Sequence, residues 1–167
     1  MTTFFTADTH FGHANIIKYC VRPFMTVEDM DVALVNNWNA VVKPMDVVWH
    51  LGDFAFPRKL PKGRLADIFA SLNGEKHLIR GNHDPKETCE LPWASIGDLR
   101  KVEGIILCHY GLEVWDGSFY DRTPHFHGHS HGALTKRPNR FDVGVDCWDF
   151  RPVTADEVTR REDLSWA

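Results

Sequence analysis

The stretch Arg80-Gly81-Asn82-His83-Asp84 directly follows the short apolar run at residues 76–79, which predicts a strand that ends in a tight polar loop. Gly and Asn tolerate turn conformations, and an Asp in this position often caps the next helix, so the loop alone is compatible with an ordinary turn. It gains a chemical meaning only if other metal-binding residue types follow other strands. The rest of the chain supplies them.

Four further stretches share this arrangement, in which a β-prone apolar run ends in Asp or His. They are Asp8-Thr9-His10 after residues 3–7, Gly52-Asp53 after 46–51, His109 after 104–108, and Gly128-His129-Ser130-His131 after 124–126. Ligands of α/β folds bind beyond the carboxyl ends of the strands, so these loops are expected to converge. Side chains two residues apart on an extended segment project to the same side, so the two members of each Asp-x-His or His-x-His pair can face one pocket.

Each stretch also has a plain structural interpretation. An isolated Asp-x-His is common in turns, and Gly-Asp after a strand is an ordinary left-handed turn. Gly-His-x-His-Gly can be a flexible loop. What favours a shared metal site is the ordered set of five stretches, each placed directly after an apolar run.

The segments between these stretches complete an α/β pattern. Thr26-Val27-Glu28-Asp29 resembles a capping box, and apolar residues at helical spacing predict a helix over 27–42. A second helix is predicted over 61–72, with Pro near its first turn and Asn73-Gly74 after its end. Later strands are expected over 95–102, 104–108 and 140–145, and a short helix after Thr154. Without repeats or linkers, we expect a single domain over residues 1–167.

Composition limits the classes of function. The 167 residues carry a formal charge of −4 with 43% hydrophobic residues, so no overall basic field attracts nucleic acid or an anionic membrane. No apolar run approaches the length of a membrane span, and residues 1–4 lack the features of a signal peptide, so a cytoplasmic location is expected. The four cysteines form no Cys-x-x-Cys pair. We expect reduced thiols, with disulfides as the alternative.

The five stretches in this order resemble the calcineurin-like metallophosphoesterase superfamily: Asp-x-His, Gly-Asp, Gly-Asn-His-Asp, His, and Gly-His-x-His. The resemblance covers residues 8–131, and all five stretches are intact. It implies an α/β fold of two mixed β-sheets packed as a sandwich and flanked by helices, in four layers of the order α/β/β/α. It also implies a binuclear-metal phosphoric ester hydrolase.

The resemblance further implies which residues form the site. One ion would be held by Asp8, His10, Asp53 and His131, and the other by Asn82, His109 and His129, with Asp53 bridging both. His83 would be the general acid, and Asp84 would orient its ring. Hydrolysis would proceed through a bridging hydroxide that both ions activate.

The chemistry of the donor set is consistent with that assignment. Imidazole and carboxylate ligands without thiolates suit Mn²⁺, Fe, Ni²⁺ or Zn²⁺ better than Mg²⁺ or Ca²⁺, and we expect two divalent transition-metal ions, with Mn²⁺ preferred. Two such ions, the carboxylates of Asp8 and Asp53, and one hydroxide leave a net charge of about +1. A neutral Asn82 preserves that charge, which favours a phosphate anion.

Residues outside the five stretches keep two interpretations. Arg22 lies on a loop after the first predicted helix, where it is either a bidentate phosphate contact or an ordinary exposed Arg. His13 either lines the pocket as a substrate contact, or it is a helix cap or an ordinary surface His. His50, inside a predicted buried strand, and Asp146, in the tail, are interpreted as structural. Trp115, with the aromatic residues after it, forms either a stacking lid or a packing cluster.

The preferred interpretation is a metal-dependent phosphoesterase that hydrolyses a small phosphomonoester or phosphodiester, with nucleotides among the candidates. A metal-binding scaffold for protein interaction is the alternative, but such versions usually lack the catalytic His or several ligands, and this chain keeps all of them. A nuclease is a third candidate. The negative net charge and the absence of a basic domain argue against stable nucleic-acid binding. No membrane partner is expected, and monomer and homodimer both stay open.

Overall fold

Two β-sheets with helices around them form the computed structural model, which describes residues 1–163 and, for 161–163, only the helical backbone. The strands are β1 (Thr3–Thr6), β2 (Val47–His50), β3 (Glu75–Ile79), β4 (Ser95–Gly97), β5 (Leu99–Val102), β6 (Ile105–Cys108), β7 (His125–His127), β8 (Arg140–Asp142) and β9 (Val153–Thr154). The helices are α1 (Ala14–Tyr19), α2 (Val27–Val41), α3 (Arg64–Ser71), α4 (Lys86–Cys89) and α5 (Ala155–Asp163), with short 3₁₀ turns at Pro57–Lys59 and Val145–Cys147.

Both sheets mix parallel and antiparallel pairs. The larger sheet has the order β4-β3-β2-β1-β9, with β1 to β4 parallel and β9 antiparallel to β1. The smaller sheet has the order β5-β6-β7-β8, with β6 to β8 parallel and β5 antiparallel to β6. The α/β class with two mixed sheets and flanking helices is therefore confirmed.

Alternate side chains of the larger sheet enter two separate cores. Phe4 of β1 and Val48 of β2 pack with the helices on the outer face of this sheet. Their neighbours Phe5 and Trp49 pack between the two sheets, in a core that includes Leu107 of β6. Strands that are buried on both faces need continuous apolar runs, which is why β1 and β2 were recognisable in the sequence.

The outer face of the smaller sheet is covered by the connection between β6 and β7, residues 109–124, which contains no helix. The ring centroids of Trp115 and His125 are 5.1 Å apart, and the N–H of Leu112 donates to His125 Nε2 over 3.0 Å. A packed loop therefore takes the place of a helical layer on this side. Trp115 belongs to that packing and not to a lid.

Several predicted elements differ in their bounds from the observed ones. The strand expected over 140–145 ends at Asp142, and Val145 begins a 3₁₀ turn. The strand expected over 95–102 is interrupted at Asp98, because β4 pairs in the larger sheet and β5 in the smaller one. The helix expected over 61–72 begins only at Arg64, after Gly63 with a φ of 85°. The helix expected over 27–42 is observed as Val27–Val41, and Thr26 Oγ1 accepts the N–H of Asp29 at its start.

Backbone hydrogen bonds join the loops that follow the strands. Asp8 N–H, after β1, donates to Gly52 O, after β2, over 2.9 Å. Gly128 N–H, after β7, donates to His109 O, after β6, over 3.0 Å. The polar stretches thus meet at one edge of the sandwich. None of the described helices has both the length and the apolar composition that crossing a membrane requires.

Candidate metal centre

Six of the seven predicted ligands form two groups of donor atoms at that edge. Within each group the donors lie within 4.8 Å of one another; one group is Asp8, His10 and His131, and the other is Asp53, His109 and His129. Each group combines both sheets, because the Asp residues and His10 follow strands of the larger sheet and the other His residues follow strands of the smaller one.

The carboxylate of Asp53 lies between the two groups. Its Oδ2 is 3.7 Å from His10 Nε2, and its Oδ1 is 3.6 Å from His109 Nε2. One oxygen therefore faces each group. A carboxylate in this position is suited to bridge two cations.

Hydrogen bonds determine which nitrogen of His109 faces the site. Nδ1 donates to Leu51 O over 2.7 Å, so Nε2 of the neutral ring carries a lone pair. That lone pair faces Asn82 Oδ1 at 3.1 Å as well as Asp53 Oδ1. Three acceptor atoms that face one another repel unless a cation lies among them. Asn82 Oδ1 thus lies next to the second group, where the sequence predicts a fourth donor.

His131 is held by a carboxylate behind it. Its Nδ1 donates to Asp146 Oδ2 over 2.7 Å, so Nε2 is left as the lone-pair nitrogen of the neutral ring. A carboxylate behind a ligand His is the usual way in which a metal site fixes the tautomer and the ring orientation. Sequence reasoning interpreted Asp146 only as structural, since no spacing rule connects it with His131.

Two buried side chains of the first group, Asp8 and His10, have polar atoms without a hydrogen-bond partner in the part of the chain that the structure describes. Asp8 Oδ1 and both ring nitrogens of His10 make no hydrogen bond among the described residues. Burial raises the pKa of Asp8 well above its ordinary value, with Asp142 and Asp53 adding to the effect, and burial lowers the pKa of His10. A divalent cation would satisfy Asp8 Oδ1 and one of the two ring nitrogens of His10. The donor set therefore fits a metal ion.

An open cleft of about 730 Å³ lies in front of the two groups. The imidazole rings of His10, His83, His129 and His131 line it. His83 is exposed, and its ring centroid is 5.8 Å from that of His10. Its backbone N–H donates to Asp53 Oδ1 over 2.8 Å. Its ring therefore lies where a substrate would meet the donor atoms.

The family model described as calcineurin-like phosphoesterase matches residues 1–156. The chain belongs to this family. It is 49% identical over 164 residues to an uncharacterized protein of Methanocaldococcus jannaschii, an alignment that covers 92% of this chain and 87% of that protein. It is also 28% identical over 193 residues to the gene 66 protein of Mycobacterium phage L5, with 93% of this chain and 91% of that protein covered.

A solved structure has the same fold. The crystal structure of a protein of unknown function from Aquifex aeolicus superimposes with a TM-score of 0.71 and 25% sequence identity, covering 95% of this chain and 97% of that one. The names of these relatives state no activity. They support the family and the fold of this calcineurin-like phosphoesterase. Its substrate has to be inferred from its own residues.

Five of the predicted ligands in this calcineurin-like phosphoesterase have a left-handed backbone, with φ between 47° and 66°: Asp8, His10, Asp53, His129 and His131. A residue with a side chain pays roughly 1–2 kcal/mol for that conformation. Such strain persists only where the surrounding structure holds it, and it concentrates at functional sites. Five examples at one edge of the sandwich therefore mark this edge as the functional one.

Glycines allow the ligand loops to approach one another. A Cβ at Gly52 would lie 2.6 Å from His109 Nδ1, and a Cβ at Gly81 would overlap Asp53 Oδ1. Neither position has room for a side chain. The glycines of Gly-Asp and Gly-Asn-His-Asp are thus required by the packing of the site.

Asp84 holds these loops through their backbone. Its Oδ2 accepts the N–H groups of Asp53 and Gly81, each over 2.8 Å, and its Oδ1 accepts that of Phe54 over 2.9 Å. Burial raises the pKa of Asp84, and these three hydrogen bonds oppose the rise. No hydrogen bond joins its carboxylate to the His83 ring in the described part of the chain. The expectation that Asp84 orients that ring is corrected: Asp84 fixes the loop that carries His83.

Arg22 is not placed to contact substrate. Its side chain is buried, and its guanidinium donates to both carboxylate oxygens of Asp146, to the carbonyl oxygens of Asp8 and Thr9, and to Met30 Sδ. These contacts use all five N–H groups of the guanidinium. The prediction of a phosphate contact and the alternative of an exposed Arg are both wrong. The buried guanidinium instead holds the backbone next to the first donor group and the carboxylate of Asp146.

His13 lies in the cleft. Its ring stacks on Phe56 with centroids 4.7 Å apart, and its side chain makes no capping hydrogen bond at the start of α1. This position in the cleft is compatible with the predicted substrate contact. The missing capping hydrogen bond excludes the helix-cap alternative. His50, by contrast, is buried against Thr9 Oγ1 at 3.0 Å, and burial lowers its pKa to about 3, so its structural interpretation is confirmed.

Proposed function

We propose that this chain hydrolyses phosphate esters with two divalent transition-metal ions and with His83 as the general acid. The observation that carries the proposal is the pair of donor groups on either side of the Asp53 carboxylate. Membership of the calcineurin-like phosphoesterase family gives it independent support. A protein-interaction scaffold has no need of buried donor atoms such as those of His10, which have no hydrogen-bond partner among the described residues.

The seven proposed ligands divide between the ions. Asp8, His10 and His131 would hold one ion, Asn82, His109 and His129 the other, and Asp53 both. When bound, such ions polarise phosphoryl oxygens and lower the pKa of water. We expect Mn²⁺, and Fe, Ni²⁺ and Zn²⁺ also suit this mixture of imidazole and carboxylate donors.

In the proposed reaction, the ring of His83 supplies the proton that the leaving group needs. In the hydrolysis, the oxygen of a water molecule forms a bond to phosphorus, the bond between phosphorus and the ester oxygen breaks, and the leaving alcohol needs a proton. The ring of His83 donates it and is restored by the proton that the water loses. Asp84 keeps the loop in position through its three backbone hydrogen bonds.

A metal-reconstitution assay tests the proposal. Protein stripped of metal is supplied with Mn²⁺, Ni²⁺, Zn²⁺ or Mg²⁺ and assayed with p-nitrophenyl phosphate, bis-p-nitrophenyl phosphate and 2′,3′-cyclic nucleotides. We expect turnover of at least one ester with a transition-metal ion. Absence of turnover with every pair would favour the scaffold. The cytoplasmic location and a homodimer stay predictions.

A further inference from the structure

One side of the cleft is apolar although the donor groups beside it are polar. Tyr19, Val21 and Phe56 line this side, which we call the apolar wall. Tyr19 is 72% exposed and Val21 is 86% exposed. Adjoining apolar side chains that remain exposed next to a polar centre are typical of a binding surface.

The backbone at Val21 supports this interpretation. Its φ is 51°, in the left-handed region, where a β-branched residue is a genuine outlier. The next residue, Arg22, is buried, and its guanidinium donates to Asp8 O over 2.7 Å, whereas the side chain of Val21 is exposed. Asn or Gly would adopt this φ with less strain. Because Val21 is exposed, burial of its side chain does not offset this strain. We therefore interpret the apolar side chain as a contact for a ligand.

Aromatic rings extend the apolar wall to the metal centre. The ring of His13 lies nearly parallel to that of Phe56, with a 20° angle between the planes, and its centroid is 6.4 Å from that of Tyr19. On its other side His13 is 5.4 Å from the ring of the proposed ligand His10. A flat group attached to a phosphate at the metal centre would therefore reach a surface made of rings.

The charges along the cleft favour a single negative charge on the substrate. No Lys or Arg lines the cleft in the part of the chain that the structure describes. The nearby Arg22 uses all of its donors elsewhere. With two divalent ions, two carboxylates and one hydroxide, the centre would carry about +1, which one phosphodiester anion would neutralise and a phosphomonoester dianion would exceed.

We propose that the substrates are phosphodiesters in which the retained ester group is flat and uncharged, as a nucleoside base is, and packs on the apolar wall. The proposal rests on the hydrolase function proposed above and adds the substrate class. The leaving group departs as an alcohol, and the product is the phosphomonoester that still carries the flat group.

Two diesters with the same leaving group test the proposal in the metal-loaded protein. Thymidine 5′-(p-nitrophenyl phosphate) carries a base, and methyl p-nitrophenyl phosphate does not. We expect kcat/KM to be at least tenfold higher for the thymidine ester, and p-nitrophenyl phosphate, a monoester, to be the poorest substrate. Stacking of a base on an aromatic side chain is worth roughly 5- to 150-fold in affinity.

Substitutions in the apolar wall locate the effect. Tyr19→Ala is expected to reduce kcat/KM about tenfold more for the thymidine ester than for the methyl ester. Tyr120, which is 96% exposed and does not line the cleft, provides the matched control, and Tyr120→Ala should leave both values unchanged. Val21→Asn should also reduce the preference for the thymidine ester, while thermal unfolding shows a stability equal to or above that of the wild type.

The possible failures are distinguishable. Turnover of both diesters with equal kcat/KM, a preference for the monoester, or equal losses on both diesters in Tyr19→Ala would overturn this proposal and leave the hydrolase function standing. A Val21→Asn variant that unfolds at a lower temperature would contradict the strain at Val21 on which the proposal rests. Absence of turnover of every ester with every metal would remove both proposals.

Discussion

Arg22 connects three parts of the site without facing the cleft: the carboxylate of Asp146 and the carbonyl oxygens of Asp8 and Thr9. Removing one partner of a buried ion pair leaves an uncompensated charge, so we expect Arg22→Ala to lower the free energy of unfolding by about 3–5 kcal/mol. Urea denaturation measures the change.

The exposed pair of Arg80 and Asp98 provides the matched control for Arg22. It has the same two-pronged geometry, with hydrogen bonds of 2.8 and 2.7 Å. Because solvent screens this pair, Arg80→Ala should have little effect on stability. Similar losses of unfolding free energy for both substitutions would show that the buried Arg22 pair contributes no more stability than an exposed pair.

The imidazole of His83 is expected to matter most for esters with poor leaving groups. We expect His83→Ala to lower kcat by about 10²–10⁴ for an alkyl ester and by much less for a p-nitrophenyl ester, which departs without a proton. Steady-state kinetics on both substrates checks this, with metal content as the control for an intact site. Equal, small losses on the two esters would exclude His83 as the general acid.

His50 gives the fold a pH dependence. Its folded pKa is about 3, and its unfolded pKa is about 6.5. Below pH 6.5 the unfolded chain therefore binds a proton that the folded chain does not, and stability falls as the pH drops towards 3. At pH 5 this costs about 2 kcal/mol.

The His50→Leu variant isolates that contribution. Between pH 7.5 and pH 5.0 it should lose about 2 kcal/mol less free energy of unfolding than the wild type. Urea denaturation at the two pH values measures both losses. An unchanged pH dependence in His50→Leu would mean that other histidines, such as buried His125, account for the acid sensitivity.

At the scale of elements, the sequence predicts what local chemistry determines. The helix after Thr26 was predictable because a capping residue and a 3.6-residue apolar period agree. The break at Asp98 was not predictable from the sequence. It arises because β4, before Asp98, pairs in the larger sheet and β5, after it, pairs in the smaller sheet. Nor does the spacing of the polar residues at 109–124 indicate that this connection replaces a helix over the smaller sheet.

The same distinction holds for the site. The convergence of the proposed ligands at one edge was predictable because each follows an apolar strand, and the carboxyl ends of parallel strands share one edge. The burial of Arg22 was not, because its partner Asp146 lies 124 residues away. The backbone partners of Asp84 were equally hidden, since they depend on how two loops meet.

The loop that contains Gly81 should not accept a methyl group. We expect Gly81→Ala to displace Asp53 and to abolish tight metal binding, which elemental analysis after dialysis measures. Gly63 is the control, since a Cβ there has no atom within 4 Å and its φ of 85° is the sole obstacle. Gly63→Ala should keep its metal and lose roughly 1–2 kcal/mol of stability, the cost of a left-handed backbone for a residue with a side chain. Retention of metal by Gly81→Ala would contradict the packing described for this loop.

For the whole molecule, metal and stability should be coupled. An ion at 100 times its dissociation constant stabilises the folded state by about 2.7 kcal/mol. For a chain of this size that corresponds to a rise in Tm of roughly 5–10 °C. Thermal unfolding with a chelator and with added Mn²⁺ should show this difference in the wild type. In His131→Ala it should shrink, and an equal shift in that variant would place the stabilising ion elsewhere.

The distribution of the donors along the chain has a consequence for biosynthesis. Each group takes residues from both sheets, so neither is complete until His129 or His131 has emerged from the ribosome. At about 5–20 residues per second, roughly 6–25 s separate the synthesis of Asp8 from that of His131. During that interval the early Asp and His side chains cannot hold an ion with their final partners. Binding of the proposed ions at both groups would therefore follow the synthesis of residue 131, and the metal supply at that moment would influence which ion is bound first.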